Sequence, residues 1–211
     1  MNSKKTLKII SFIVILLVVL QGLRMAIEQT IFIFVERNSF TDDVATMFAM
    51  LAITFAFVIM AKRKQEHLSV FPHKFGLFYI SGTFILVALI VSTPLITGDK
   101  TLQTIITMIY SSIVTPIFEE IIFRGFIWNK LNTVFKKEWG TYLVTTLLFA
   151  IWHLGYIEGI AFRSPNGLAT TMIWKMITGL CFGIVLGALR LKTKNCYSTM
   201  LLHGIINIFG R

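Results

Sequence analysis

Seven stretches of the chain stay apolar for close to the roughly 20 residues that carry a helix across the hydrocarbon core of a bilayer, and no other feature limits the fold as much. They run over about 9–27, 44–61, 75–96, 103–127, 140–156, 168–189 and 196–209. The composition agrees. Apolar residues make up 55% of the 211 and charged ones 14%, where soluble domains carry about 25% charge. A fold this small buries only about two-thirds of the surface its unfolded chain exposes, so part of its solvent must be lipid. A soluble globule, a disordered chain and a disulfide scaffold are excluded. The expected architecture is all-α: one polytopic transmembrane bundle of about seven spans, forming a single integral-membrane domain over 1–211, with a chemistry-bearing core at about 103–209.

The net charge of +10 suits either nucleic acid or membrane topology, and the positions of the charges decide. Lys4, Lys5 and Lys8, then Lys62, Arg63, Lys64 and Lys74, then Lys130, Lys136 and Lys137, then Arg190, Lys192 and Lys194 cluster at the ends of apolar runs. With the N-terminus cytoplasmic, all of these lie inside. The outer segments then hold Arg24, Arg37, Lys100, Arg163 and Arg211 against Glu28, Glu36, Asp42, Asp43, Asp99 and Glu158, which satisfies the positive-inside rule. No nucleic-acid partner is expected. The basic start followed by Ile9–Leu20 mimics a signal peptide, but Gln21-Gly22-Leu23-Arg24 is a poor cleavage site, so an uncleaved first span is expected. Ser39–Asp43 and Thr97–Lys100 read as turns, and Arg163-Ser164-Pro165-Asn166-Gly167 as an outer loop. Cys181 and Cys196 have no metal-ligand or redox spacing and read as reduced thiols.

Three spans carry groups that lipid normally excludes. The fourth has Glu119, Glu120 and Arg124, the fifth His153, and the seventh His203 with Asn207. An ionised side chain at mid-membrane costs about 2.5–3.5 kcal/mol even on the lenient insertion scale, so these residues are read as functional. Glu120 and Arg124, four apart, share a helix face and can pair. Glu119 is turned about 100° away and is the carboxylate left free to act. Pro116 is expected to kink the helix and open space for water. A glutamate and a histidine on one water form a general base, and a second histidine with an asparagine amide can hold an oxyanion. Glu119, His153 and His203 would equally serve as three zinc ligands with an open position. The spacing leaves both mechanisms open, with either no cofactor or a divalent metal such as zinc. No HExxH, GxSxG or paired intramembrane Asp set occurs.

These motifs, EExxxR at Glu119–Arg124, FxxxH at Phe149–His153 and HxxxN at His203–Asn207, resemble those of the CPBP intramembrane proteases, also called the CAAX prenyl protease or Abi family. The resemblance covers about the C-terminal 95 residues. It implies a helical membrane endopeptidase, with relatives that trim prenylated CaaX tails or, in bacteria, act in peptide maturation and bacteriocin immunity. It also implies that Glu119 and His153 activate water, that His203 and Asn207 hold the oxyanion, and that Glu120, Arg124 and Phe149 support them. A peptide or protein substrate at the membrane is the expected partner, and a bacterial cell membrane the expected location.

Two other functions fit a polar layer inside a membrane: a non-catalytic immunity or partner-binding protein, and a proton-coupled transporter. The transporter lacks the matching broken segments of an inverted repeat. Lys175 is expected to snorkel to the outer interface. Tyr110, Trp128, Trp139, Tyr142 and Trp174 are expected as interface anchors, and Gly179, Gly183 and Gly187 as a close-packing stripe.

Overall fold

A computed structural model describes residues 3–164 and 166–210, and all of its regular structure is helical. Met1, Asn2, Arg211 and Pro165 of the expected outer loop lie outside the described residues. The helices are α1 Ser3–Phe32, α2 Ser39–Arg63, α3 Leu77–Thr97, α4 Leu102–Asn132, α5 Glu138–Arg163, α6 Leu168–Thr193 and α7 Cys196–Phe209. The first six are long and apolar enough to cross a membrane. All seven expected runs are therefore helical, but α7, with 14 residues, reaches only about 21 Å at 1.5 Å per residue, short of the roughly 30 Å hydrocarbon core.

Helices overrun the expected limits where polar groups find partners. Ser39–Asp43, expected as a turn, is the first turn of α2. Asn38 caps it, its Oδ1 accepting from the N–H groups of Phe40 and Thr41 at 3.0 Å each while its own N–H donates to Thr41 Oγ1 at 2.8 Å, a reciprocal capping box. Likewise α1 continues to Phe32, so Arg24 and Glu28 lie inside the bundle rather than in an outer segment. Both are buried, joined Nη1 to Oε1 at 2.6 Å, and their i,i+4 spacing lets the charges offset each other. The Thr97–Lys100 turn forms as expected, with Gly98 in the left-handed region (φ +76°) ending α3 and Thr101 capping α4.

Charge is segregated between the two ends of the bundle. At the lysine-rich end Lys130 pairs with Glu66 at 2.5 Å and Lys194 with Glu138. At the other, Arg37 meets Glu158 at 2.6 Å, and Arg163 meets Asp42 at 2.7 Å and Asp43 at 2.5 Å.

The core forms around α4, whose Phe118, Ile122, Phe123, Ile127 and Leu131 are buried against Ile13, Leu17 and Leu20 of α1, Met50, Ile53 and Phe57 of α2, and Phe149 and Trp152 of α5. Trp128 and Tyr142, expected at the interface, belong to this interior. Trp128 donates Nε1–H to Glu138 at 3.0 Å, and Tyr142 donates its hydroxyl to the Ile184 carbonyl at 3.2 Å. Trp139 and Trp174 are exposed. α4 is not a uniform helix: it widens to i→i+5 bonding over Tyr110–Val114 and Ile121–Ile127. Each wide turn adds a residue and rotates the following face by about 100°, which turns Trp128 inward. The glycine stripe of α6 closes on α5 as expected. A Cβ at Gly179 would stand 2.5 Å from His153 Nδ1, one at Gly183 3.0 Å from Thr146, and one at Gly187 2.6 Å from Tyr142.

Candidate active site

The first wide turn of α4 has a chemical cause. Pro116 has no N–H, and its ring would crowd the carbonyl four residues back in an ordinary helix. Thr115 instead donates its N–H to Tyr110, five residues back. The Ser111 carbonyl accepts from Asn207 Nδ2 at 2.7 Å, so the proline and the asparagine together lock α7 onto α4. Between the two wide turns, Thr115–Glu120 presents both glutamates to the interior, Glu119 at 1% and Glu120 at 0% exposure.

The adjacent carboxylates have different surroundings. Glu120 Oε1 accepts from Arg124 Nη1 at 3.1 Å and from His203 Nδ1 at 3.0 Å. Arg124 lies over the Phe149 ring at 4.1 Å, a cation–π contact that substitutes for water around a buried guanidinium. Glu119 Oε1 accepts from Trp152 Nε1 at 3.1 Å and from the Tyr156 hydroxyl at 2.6 Å, and its Oε2 faces His203 Nε2 at 3.8 Å. One oxygen of Glu119 is thus held by two donors and the other is turned to the second histidine.

Hydrogen bonding fixes the proton on each imidazole. His153 Nδ1 is 2.7 Å from the Phe149 carbonyl, which only accepts, so Nδ1 carries the proton and neutral His153 keeps a lone pair on Nε2. His203 Nδ1 donates in the same way to Glu120, leaving its Nε2 toward Glu119. Phe149 packs edge-on against both rings, with centroids 5.0 Å from His153 and 6.2 Å from His203. Phe149, the first residue of the FxxxH motif, is therefore the wedge between two histidines and an arginine.

Glu119, His153, His203 and Asn207 line one cavity of about 270 Å³. All four expected catalytic positions meet there, with Glu120, Arg124 and Phe149 behind them. Among the described residues no group of three His, Cys, Asp or Glu side chains stands in metal-ligand geometry.

Five neighbours of the site were not read as such in the sequence. Trp152 and Tyr156, four apart, both donate to Glu119, and a Trp or Tyr polar tip inside a bundle needs such a partner. Lys175 lines the cavity rather than only reaching the outer interface. It sits one turn before Gly179, on the same face that packs on His153, so extending the glycine stripe by four residues would have found it. Arg24, with Gln21, clamps α5 where it tightens to i→i+3 bonding over His153–Tyr156. Gln21 Nε2 donates to the Trp152 carbonyl at 3.2 Å, Arg24 Nη2 to the Gly155 carbonyl at 2.8 Å, and Arg24 stacks 4.7 Å over Tyr156. Their i, i+3, i+7 spacing with Glu28 marks one helix face, a signal lost when Arg24 and Glu28 are counted with an outer segment.

A family model described as "Type II CAAX prenyl endopeptidase Rce1-like" matches residues 101–209, more than half of the chain. No curated protein and no solved structure matches.

Proposed function

The chain belongs to the Rce1-like type II CAAX prenyl endopeptidase family of membrane proteases, and we propose that it hydrolyses a peptide bond of a membrane-borne substrate with Glu119 as the base that activates water. The observation that carries this reading is the division of labour on Glu119: Trp152 and Tyr156 orient Oε1, while Oε2 faces the polar cavity 3.8 Å from His203. A water held between Oε2 and the lone pair of His153 Nε2 attacks the carbonyl carbon as its proton passes to Glu119. The carbonyl oxygen becomes an oxyanion. Asn207 spends one amide hydrogen on the Ser111 carbonyl and has a second to give to that oxygen, and His203, anchored through Nδ1 to Glu120, lines the same cavity on the oxyanion side. The tetrahedral intermediate then collapses, the C–N bond breaks, and Glu119 returns the proton to the leaving amine. No step requires a metal.

In this reading the substrate is a lipid-anchored peptide cut near its C-terminus, or a leader peptide, the N-terminus of the chain is cytoplasmic, and the protein works in a bacterial cell membrane. The test uses the full protein in liposomes with a panel of S-farnesylated and leader-type peptides, followed by mass spectrometry. Wild type should release a fragment from at least one class, and Glu119→Gln should lower that rate by about 10²–10⁴-fold, the range of general-base catalysis. Cleavage that survives in Glu119→Gln would overturn the assignment.

A further inference from the structure

A second cavity of about 330 Å³ adjoins the first, sharing Tyr110, Tyr156 and Lys175 with it. It opens among the ends of α1, α2, α5 and α6 that carry Glu28, Asp42, Arg163 and Thr171. Its arginines are matched to acids: Arg24 to Glu28 at 2.6 Å, and Arg163 to Asp42 at 2.7 Å and Asp43 at 2.5 Å. Lys175 differs. It stands on the wall common to both cavities, and among the described residues it has no ion pair. Its backbone position is set by the glycine stripe, because Gly179, one turn on, is pressed against the His153 ring.

Resting on the hydrolase reading above, we propose that this second cavity is the subsite for the substrate's C-terminal carboxylate, with the Lys175 ammonium as its anchor. When a peptide bond is cut beside Glu119, the segment on the leaving-amine side ends in a carboxylate whatever its sequence. A lysine on the wall of a polar cavity next to the reacting atoms can offer its ammonium to that group. A cavity this close to the site suits a leaving segment of only a few residues, since an extended chain advances about 3.3–3.6 Å per residue. Lys175 would thereby measure the distance from chain end to scissile bond and make the enzyme selective for C-terminal tails over internal sites.

Two farnesylated peptides of one sequence, one ending in a free carboxylate and the other in a carboxamide, test this on the full protein in liposomes. Wild type should prefer the acid at least tenfold in kcat/KM, chiefly through KM. Lys175→Met should bring the acid down to the amide's value, and Lys175→Arg should keep part of the preference. Equal kcat/KM for both peptides in wild type, or an undiminished preference in Lys175→Met, would overturn the subsite. So would a folded Lys175→Met protein whose turnover falls equally on both peptides, which would make Lys175 a counter-charge to Glu119. Binding of the two peptides to Glu119→Gln protein, followed by fluorescence anisotropy, tests the anchor without turnover. Tenfold tighter binding of the acid supports the anchor and equal binding refutes it, even if the hydrolytic assignment of Glu119 itself fails.

Discussion

α1 and α3 both lie outside the family-matched segment, and both are long and apolar enough to cross a membrane, yet they have opposite relations to the site. α1 turns a polar face inward, burying Gln21, Arg24 and Glu28, and clamps the tightened turn of α5 that carries His153 and Tyr156. α3 has no charged residue and buries only Pro94. It touches α7 through Gly82 and Leu86 and through a 2.7 Å bond between Thr83 and Tyr197. Hydropathy ranks the two helices alike. What separates them is polar residues at helical spacing, because an ionic group offsets its desolvation cost inside a bundle only where it finds specific partners.

Substitutions can break or sharpen this contrast. The largest effect belongs to the site that α1 supports: Glu119→Gln should cost about 10²–10⁴ in rate and leave the thermal unfolding midpoint in detergent nearly unchanged. Next comes α1. Arg24→Met leaves Glu28 buried without its counter-charge and removes the donor to Gly155, so stability should fall by about 3–5 kcal/mol in denaturant titrations. The double change Arg24→Met with Glu28→Met should recover most of that loss, since apolar replacements of a buried pair are often neutral, but not the activity, because the clamp on α5 stays broken. If the double variant regained full activity, α1 would be packing rather than positioning.

A smaller effect is expected at the α5–α6 seam. Gly179→Ala ordinarily favours a helix by about 1 kcal/mol, but here the new Cβ meets His153 Nδ1 at 2.5 Å. Overpacking should cost about 1–3 kcal/mol and lower kcat by displacing the imidazole. The smallest effect should come from α3, where Phe84→Leu, on a side chain 74% exposed from the protein, should stay within about 0.5 kcal/mol and leave kcat untouched.

The legible part of this molecule is what repeats at fixed spacing. The apolar runs mark the helices, the Glu120–Arg124 interval marks the ion pair, and the glycine interval marks the α5–α6 contact. What stays hidden depends on departures from a regular helix or on partners far along the chain. The wide turn at Ile121–Ile127 rotates Trp128 from the expected interface into the core, and the tight turn at His153–Tyr156 brings the Tyr156 hydroxyl to Glu119. Arg24 sits 131 residues from Gly155, and drawing the membrane boundary at the first charges hides a polar face that continues the helix. Asn207 shows the same limit. Its motif spacing points to the site, but only the fold reveals that one amide hydrogen already serves Ser111.

The central claim, proteolysis that depends on Glu119, is tested most directly by comparing peptide termini in membranes and medium of cells expressing wild type or Glu119→Gln at equal levels. New termini that appear with wild type and vanish with the variant are the predicted result, and they would name the substrate. Identical terminus profiles in the two strains, with a cellular phenotype retained by the variant, would contradict it and leave a binding or immunity role in its place.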